Sequence, residues 1–162
     1  MSVEKIDEID AQILALLQAS GRIKRNQIAE HVGLSVPSVS ERMRKLEERG
    51  VISGYHAVLT PKRLHLDITA FIRVSVDGSK HYEAFIERVS EMSEVLELHS
   101  ITGEGSHMIK ARTRNTSTLE KLLARLQRIP GVRGTQTSIV LTSLKETSQL
   151  HVEPMILYQN GE

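Results

Sequence analysis

The period of the apolar side chains changes partway along this chain, and no other feature constrains its fold as much. Over the first fifty residues the spacing is helical. Ile6, Ile9, Ile13, Leu16 and Leu17 recur at three- and four-residue steps, the stripe of an amphipathic helix. Asp7 is placed to cap that helix and Gly21 to stop it. A second, shorter helix carries Ile28, Ala29 and Val32 and ends at Gly33. A third opens at Ser35, a good N-cap, and tolerates Pro37 in its first turn, where no helical N–H is required. It is expected to bury Val36, Val39, Met43 and Leu46 and to end at Gly50.

From residue 68 the period falls to two. In ITAFIRVSVD (68–77), Ala70, Ile72, Val74 and Val76 share one face of a strand. A helix from about Ser79 to Met92 follows, then a strand over 94–102, a glycine turn and a strand over 107–113. Thr116 to Arg128 is again helical, and the last strand spans 135–144. That order is strand–helix–strand twice, the split βαβ arrangement. The expected fold class is α+β: an N-terminal helix-turn-helix domain (1–52) and a C-terminal ferredoxin-like βαββαβ domain (67–146). A hinge strand or linker (53–66) joins them, with ISGYHAVLT (52–60) read as a short strand, and a tail (147–162) receives no function. Helices in such a unit cover one face of the sheet. The other face would carry Phe71 and, depending on register, Ile101 and Val140, so association through it, most simply as a two-fold dimer, is expected.

The stretch ITGEGSH (101–107) invites a phosphate-loop reading, because two glycines straddle one residue. A phosphate cradle needs a loop that opens a helix, so that aligned N–H groups meet the anion. Here Ile109 and Ala111 alternate with Lys110 and Arg112, which is strand. Gly103 and Gly105 therefore supply the positive φ of a hairpin.

Several classes of chemistry drop out on composition. There is no cysteine, and the seven histidines are scattered with no HExxH pair, so neither a metal nor a cofactor is expected. His99 and His107, with Glu97 and Glu104 nearby, could be cast as acid–base groups, but no nucleophile–base–orienter set accompanies them. The expectation is not an enzyme. MSVEKIDEID is acidic where a signal peptide is basic, and no apolar run approaches the ~20 residues of a membrane helix. The chain reads as cytoplasmic, with no membrane partner.

The net charge of +1 neither demands nor forbids nucleic acid, but it hides a local excess: seven Lys/Arg against four Glu between residues 22 and 49. Small Ala29 lets the third helix cross close to the second, Gly33 suits the tight turn, and Val39 packs back beneath it. A helical wheel then turns Pro37, Ser38, Glu41, Arg44, Lys45 and Glu48 outward, with Arg42 and Arg49 on one flank. Short hydroxyls and arginines near a helix N-terminus suit base edges and phosphates. The candidates for double-stranded DNA are Arg25, Ser35, Pro37, Ser38, Glu41, Arg42, Arg44 and Lys45, with Arg22 and Lys24 available to the backbone. The alternative is a plain three-helix core with a solvated charged face.

With those residues in hand, the sequence resembles the Lrp/AsnC, or feast–famine, family of transcription factors. The matching stretches are IDEIDAQILALLQASGR (6–22), IAEHVGLSVPSVSERMRKLEERGVISGY (28–55), FIRV (71–74), VLELHSITG (95–103) and IPGVRGTQTSIVL (129–141). The resemblance implies an N-terminal winged helix-turn-helix joined to a ferredoxin-like regulatory (RAM) domain. It also implies face-to-face sheet dimers assembling into tetramers or octamers, and a small effector, usually an amino acid, bound between dimers. The family's effector loop typically reads Gly-Asp-Tyr-Asp followed by an aromatic residue or His; here it is Gly103, Glu104, Gly105, Ser106 and His107. The tyrosine has become Gly105, and the second acid, a natural partner for an amino group, has become Ser106. Thr135 and Thr137 lie where the family lines the same pocket with hydroxyls, and they are equally ordinary as strand threonines. Two functions follow: an effector-modulated, sequence-specific transcriptional regulator, or an architectural protein that wraps or bridges DNA without an effector.

Overall fold

The computed structural model describes residues 4–157. Its elements run β1 (Glu4–Ile6), α1 (Glu8–Ala19), α2 (Arg25–Val32), α3 (Val36–Glu48), β2 (Ile68–Val76), α4 (Tyr82–Ser90), β3 (Val95–Ser100), β4 (His107–Thr113), α5 (Thr116–Gln127), β5 (Val132–Ile139) and β6 (Met155–Leu157), with short 3-10 turns at Pro61–Leu64 and Ser79–His81. They form two compact units. One contains the chain up to Val58 and the segment from Glu146 onward; the other runs from Leu59 to Lys145.

In the first unit Asp7 caps α1 by accepting from the Asp10 N–H at 2.8 Å. Gly33 ends α2 with φ +69, the left-handed turn that a side chain would resist. Ile13, Leu17, Ile28, Ala29, Val39 and Met43 form one core cluster. α1 also buries a second face: Ala11 and Leu14 join Ile6 and Leu46, against which Val51, Ile52 and Val152 pack. Val152 belongs to the tail, which returns to this unit. β6 pairs antiparallel with β1, Ile6 opposite Met155, and the Gln18 side-chain amide accepts from the Leu150 N–H at 2.7 Å and donates to its carbonyl at 2.8 Å.

Two expectations need correction here. The strand expected over 52–60 does not form, and this stretch has no ladder partner among the described residues. A lone strand leaves its backbone groups unpaired, so extended pairing needs a neighbour. Val36, expected in the core, is 41% exposed; it lies in the first turn of α3, ahead of the residues that pack on α2.

The second unit is a four-stranded antiparallel sheet ordered β3-β4-β2-β5. Ala70, Ile72, Val74 and Val76 of β2 face Phe85 and Val89 of α4 and Leu119, Leu122 and Leu126 of α5. β5 starts and ends earlier than the expected 135–144. Its ladder on β2 runs from Val132 opposite Val76 to Ile139 opposite Ala70. One more bond, from Val140 N–H to the Thr69 carbonyl at 2.9 Å, follows the ladder, and beyond it Leu141 and Leu144 are 95% and 94% exposed. The helix-free face is mixed rather than apolar: Phe71, Arg73, Met108, Gln136 and Ser138 line a shallow hollow of about 210 Å³.

Candidate functional site

The exposed side of α3 is built from its N-terminus. Ser35 accepts from the Ser38 N–H at 3.3 Å, and the two hydroxyls lie 2.8 Å apart. With Pro37 in the first turn, this arrangement fixes the start of the helix. Ser35, Val36, Pro37, Ser38, Glu41, Arg44, Lys45 and Glu48 are all exposed. Asp10, Leu34, Ser38, Glu41, Arg42, Lys45 and Arg49 line an open groove of about 430 Å³ beside them. Arg25 is exposed at the start of α2.

The arginines on α3 have separate partners. Arg42 donates to Asp7 and to Asp10, both at 2.7 Å, so it ties α3 to the cap of α1. Burial opposes ionisation of Asp7, but the Asp10 N–H and the Arg42 guanidinium outweigh it and hold the carboxyl below its ordinary value. Arg44 forks onto Glu41, Nε to Oε2 at 2.9 Å and Nη2 to Oε1 at 2.7 Å, and its Nη1 meets Glu48. The hydrogen bond from Arg44 pulls the Glu41 carboxyl down to about 2. Lys45 approaches Glu41 at 3.6 Å. Tyr55 donates to Glu47 at 2.8 Å, and its hydroxyl is pushed up to about 12 by burial and by that carboxylate.

The glycine hairpin divides its candidates between two sides. Gly103 and Gly105 have φ +92 and +79. A Cβ on Gly105 would lie 2.7 Å from Arg73 Cγ, so glycine is required there for space as well as for backbone. Glu104 is 89% exposed, with Arg73 Nη1 at 3.5 Å, and that guanidinium also donates to Gln136 at 3.1 Å. Ser106 is turned inward: its hydroxyl accepts from the Val76 N–H at 3.1 Å and lies 2.8 Å from His107 Nδ1. Strand alternation carries His107 to the core, where it is fully buried against the rings of Tyr82 and Phe85 at 4.9 and 4.8 Å. It cannot face a ligand as expected. Burial holds its imidazole below the ordinary value. Thr135 and Thr137 are half-buried opposite Val74 and Ile72, and Thr135 accepts from Gln127 at 3.0 Å.

Reading the sequence alone missed the exposed Val36, the Arg42 tie and the Arg44 fork. The fork had a signal, since Glu41, Arg44 and Glu48 stand at helical i,i+3 and i,i+4 spacings. The Arg42 tie spans 32 and 35 residues and had none.

A three-helix unit with a capped, exposed third helix, carried on one chain with a βαββαβ unit, defines a two-domain DNA-binding regulator. Residues 6–53 match the winged helix-turn-helix DNA-binding family, and residues 69–150 match the Lrp/AsnC ligand binding domain. The HTH-type transcriptional regulator FL11 of Pyrococcus horikoshii is 36% identical over 148 residues, 91% of this chain and 97% of that protein. The leucine-responsive regulatory protein of Escherichia coli is 34% identical over 151 residues, 91% and 92% of the two chains. Among solved structures, a Neisseria meningitidis transcriptional regulator in complex with L-methionine superposes with a TM-score of 0.85 at 33% identity, covering 89% of this chain and 95% of that one. The feast or famine regulatory protein of M. tuberculosis complexed with L-methionine gives 0.84 at 31%, covering 91% and 99%. The chain belongs to the Lrp/AsnC family of transcriptional regulators. Its relatives are named as regulators, not enzymes, and no helix among the described residues is long and apolar enough to cross a membrane.

Proposed function

We propose that this regulator reads duplex DNA with Ser35, Val36, Pro37, Ser38, Glu41, Arg44 and Lys45 of the α3 face, with Arg25 on the phosphate backbone. The observation that carries this reading is the capped, exposed α3 N-terminus with its run of hydroxyl and charged side chains. Val36 adds an apolar contact of the kind that recognises a thymine methyl. Selection from a random-sequence duplex library should return a preferred site, and Arg44→Ala or Ser38→Ala should weaken binding to it by at least about fivefold with oligomer size unchanged. Equal binding to selected and random duplexes would overturn the reading. The protein acts in the cytoplasm, where its DNA is, and not as an enzyme.

The second unit acts as the sensing domain, with Gly103, Glu104 and Gly105 as the ligand-facing edge of the hairpin. Ser106 and His107 support it from behind, and Thr135 and Thr137 of β5 supply hydroxyls to the same pocket. An amino acid is the proposed effector class, supported by the two neighbours solved with L-methionine. Residues 53–66 serve as the hinge. Homodimers and larger assemblies form through the helix-free sheet face around Phe71, which is 41% exposed. The architectural reading keeps one supporting observation: the Ser106 hydroxyl is engaged by the backbone and His107 and does not stand in for the missing acid. A thermal-shift series with the twenty amino acids separates the two, because a ligand bound only by the folded state raises the midpoint. No shift with any of them favours the effector-independent function.

A further inference from the structure

The cations of the DNA-binding unit fall into two groups. Arg22, Lys24 and Arg25, before and at the start of α2, enter no ion pair among the described residues. They are open to any phosphate. Arg44, on the reading helix, has all three guanidinium nitrogens engaged: Nε and Nη2 on Glu41, and Nη1 on Glu48. The Nε–Nη2 fork that grips Glu41 is also a face by which arginine meets paired acceptors on a guanine edge.

Helix stability accounts for Glu41, which precedes Arg44 and Lys45 in the favoured order, but not for Glu48. An Arg four residues before a Glu is the weaker order for such a pair. Glu48 is also the last residue of α3, where the helix dipole disfavours an anion. Its neighbour Glu47 has a separate task, accepting from Tyr55. Two carboxylates thus converge on one arginine from either side along the helix, and the second of them, Glu48, gains little for folding.

We propose that Glu41 and Glu48 are specificity-determining residues of DNA reading, which hold Arg44 in an intramolecular fork that phosphates alone do not profitably open and that a matched base edge does. The proposal rests on the DNA-reading role of α3. Any sequence offers phosphates, and exchanging a carboxylate fork for a phosphate one leaves Arg44 with little net gain. A base edge is neutral and by itself a weaker acceptor than either anion, so it draws Arg44 out only where the other contacts of a matched site already seat the helix in register with it. Discrimination then comes from withholding a contact as well as from making one. Exposed ion pairs are weak, so the fork biases Arg44 without trapping it.

The test is a double-substitution cycle on the full chain, with the duplex selected by the wild-type protein and a random-sequence duplex of equal length as probes. On random DNA, Arg44→Gln should change affinity little in the wild-type background. In the Glu41→Gln/Glu48→Gln background it should cost about two- to fivefold, because Arg44 is now free to contact phosphate. The paired Gln variant should bind random DNA more tightly, narrow the selected-to-random ratio, and steepen its logarithmic salt dependence by about 0.9, one added phosphate contact. Equal costs of Arg44→Gln in both backgrounds, with an unchanged salt slope, overturn the fork and leave only simple charge removal. Glu41→Gln and Glu48→Gln taken singly, each with a smaller effect of the same sign, serve if the pair lowers the thermal midpoint. A wild-type chain with no preference for any duplex overturns the DNA-reading role itself, an outcome distinct from equal costs.

Discussion

Arg42 donates to two carboxylates 2.7 Å away, and Asp10, the more buried of them, has a side chain only 9% exposed. Removing the guanidinium leaves that carboxylate short of a partner, which is more damaging than losing an exposed pair. Arg42→Gln should therefore destabilise the DNA-binding unit by about 1–2 kcal/mol, a value reduced for the solvent around Asp7, read as a lower urea midpoint. Asp7 has a folded-state pKa below its ordinary 3.8, so its contribution is complete above about pH 4 and is lost as pH falls through the lowered value. His107 is buried with its imidazole pKa depressed below 6.5. The unfolded chain takes up that proton first, so stability is full above about pH 6.5 and declines as pH falls toward the folded-state value. His107→Phe should flatten the part of a thermal-midpoint profile just below pH 6.5 for the ferredoxin-like unit. An unchanged slope would assign that proton uptake to another group.

Helices α1, α2, α3 and α5 and strands β2 and β4 follow from caps and apolar periods that lie within each segment. Asp7, Ser35 and Asn115 accept from backbone N–H groups three residues on, a relation visible in the sequence itself. The failures lie where an element depends on a distant one. β5 runs out at Ile139, with one last bond from Val140 N–H to Thr69 near the start of β2, and residues 53–60 form no strand because no neighbour reaches them among the described residues. The tail was silent in the sequence because its mixed composition carries no period. In the structure it supplies β6, the Leu150 clasp on Gln18 and Val152 beside Leu46 and Leu14. A chain ending at Lys145 should lose about 2 kcal/mol from the DNA-binding unit. Hydrogen exchange should show the loss at α1, and Gln18→Ala should reproduce part of it. Unchanged protection of α1 would mean that the tail rests on the unit without supporting it.

At the scale of the whole molecule, the chain leaves the DNA-binding unit after Val58, builds the ferredoxin-like unit, and re-enters the first unit at Glu146. The two are therefore joined by two covalent segments. The helix-free sheet face, with Phe71 at its centre beside Arg73 and Met108, is the surface proposed for assembly. Phe71→Glu should shift light-scattering mass toward the monomer while circular dichroism stays constant. An unchanged mass would move the interface elsewhere. The sequence by itself determined the two modules, their order, the capped third helix and the hairpin glycines, because periods, caps and turn chemistry act over a few residues. Only the tertiary structure decided that Arg42 ties α3 to α1, that residues 53–60 find no strand partner among the described residues, and that the tail closes on α1. Two of these rest on partners far along the chain, 35 residues between Arg42 and Asp7 and 132 between Gln18 and Leu150, and such partners are chosen by packing, which no local pattern encodes.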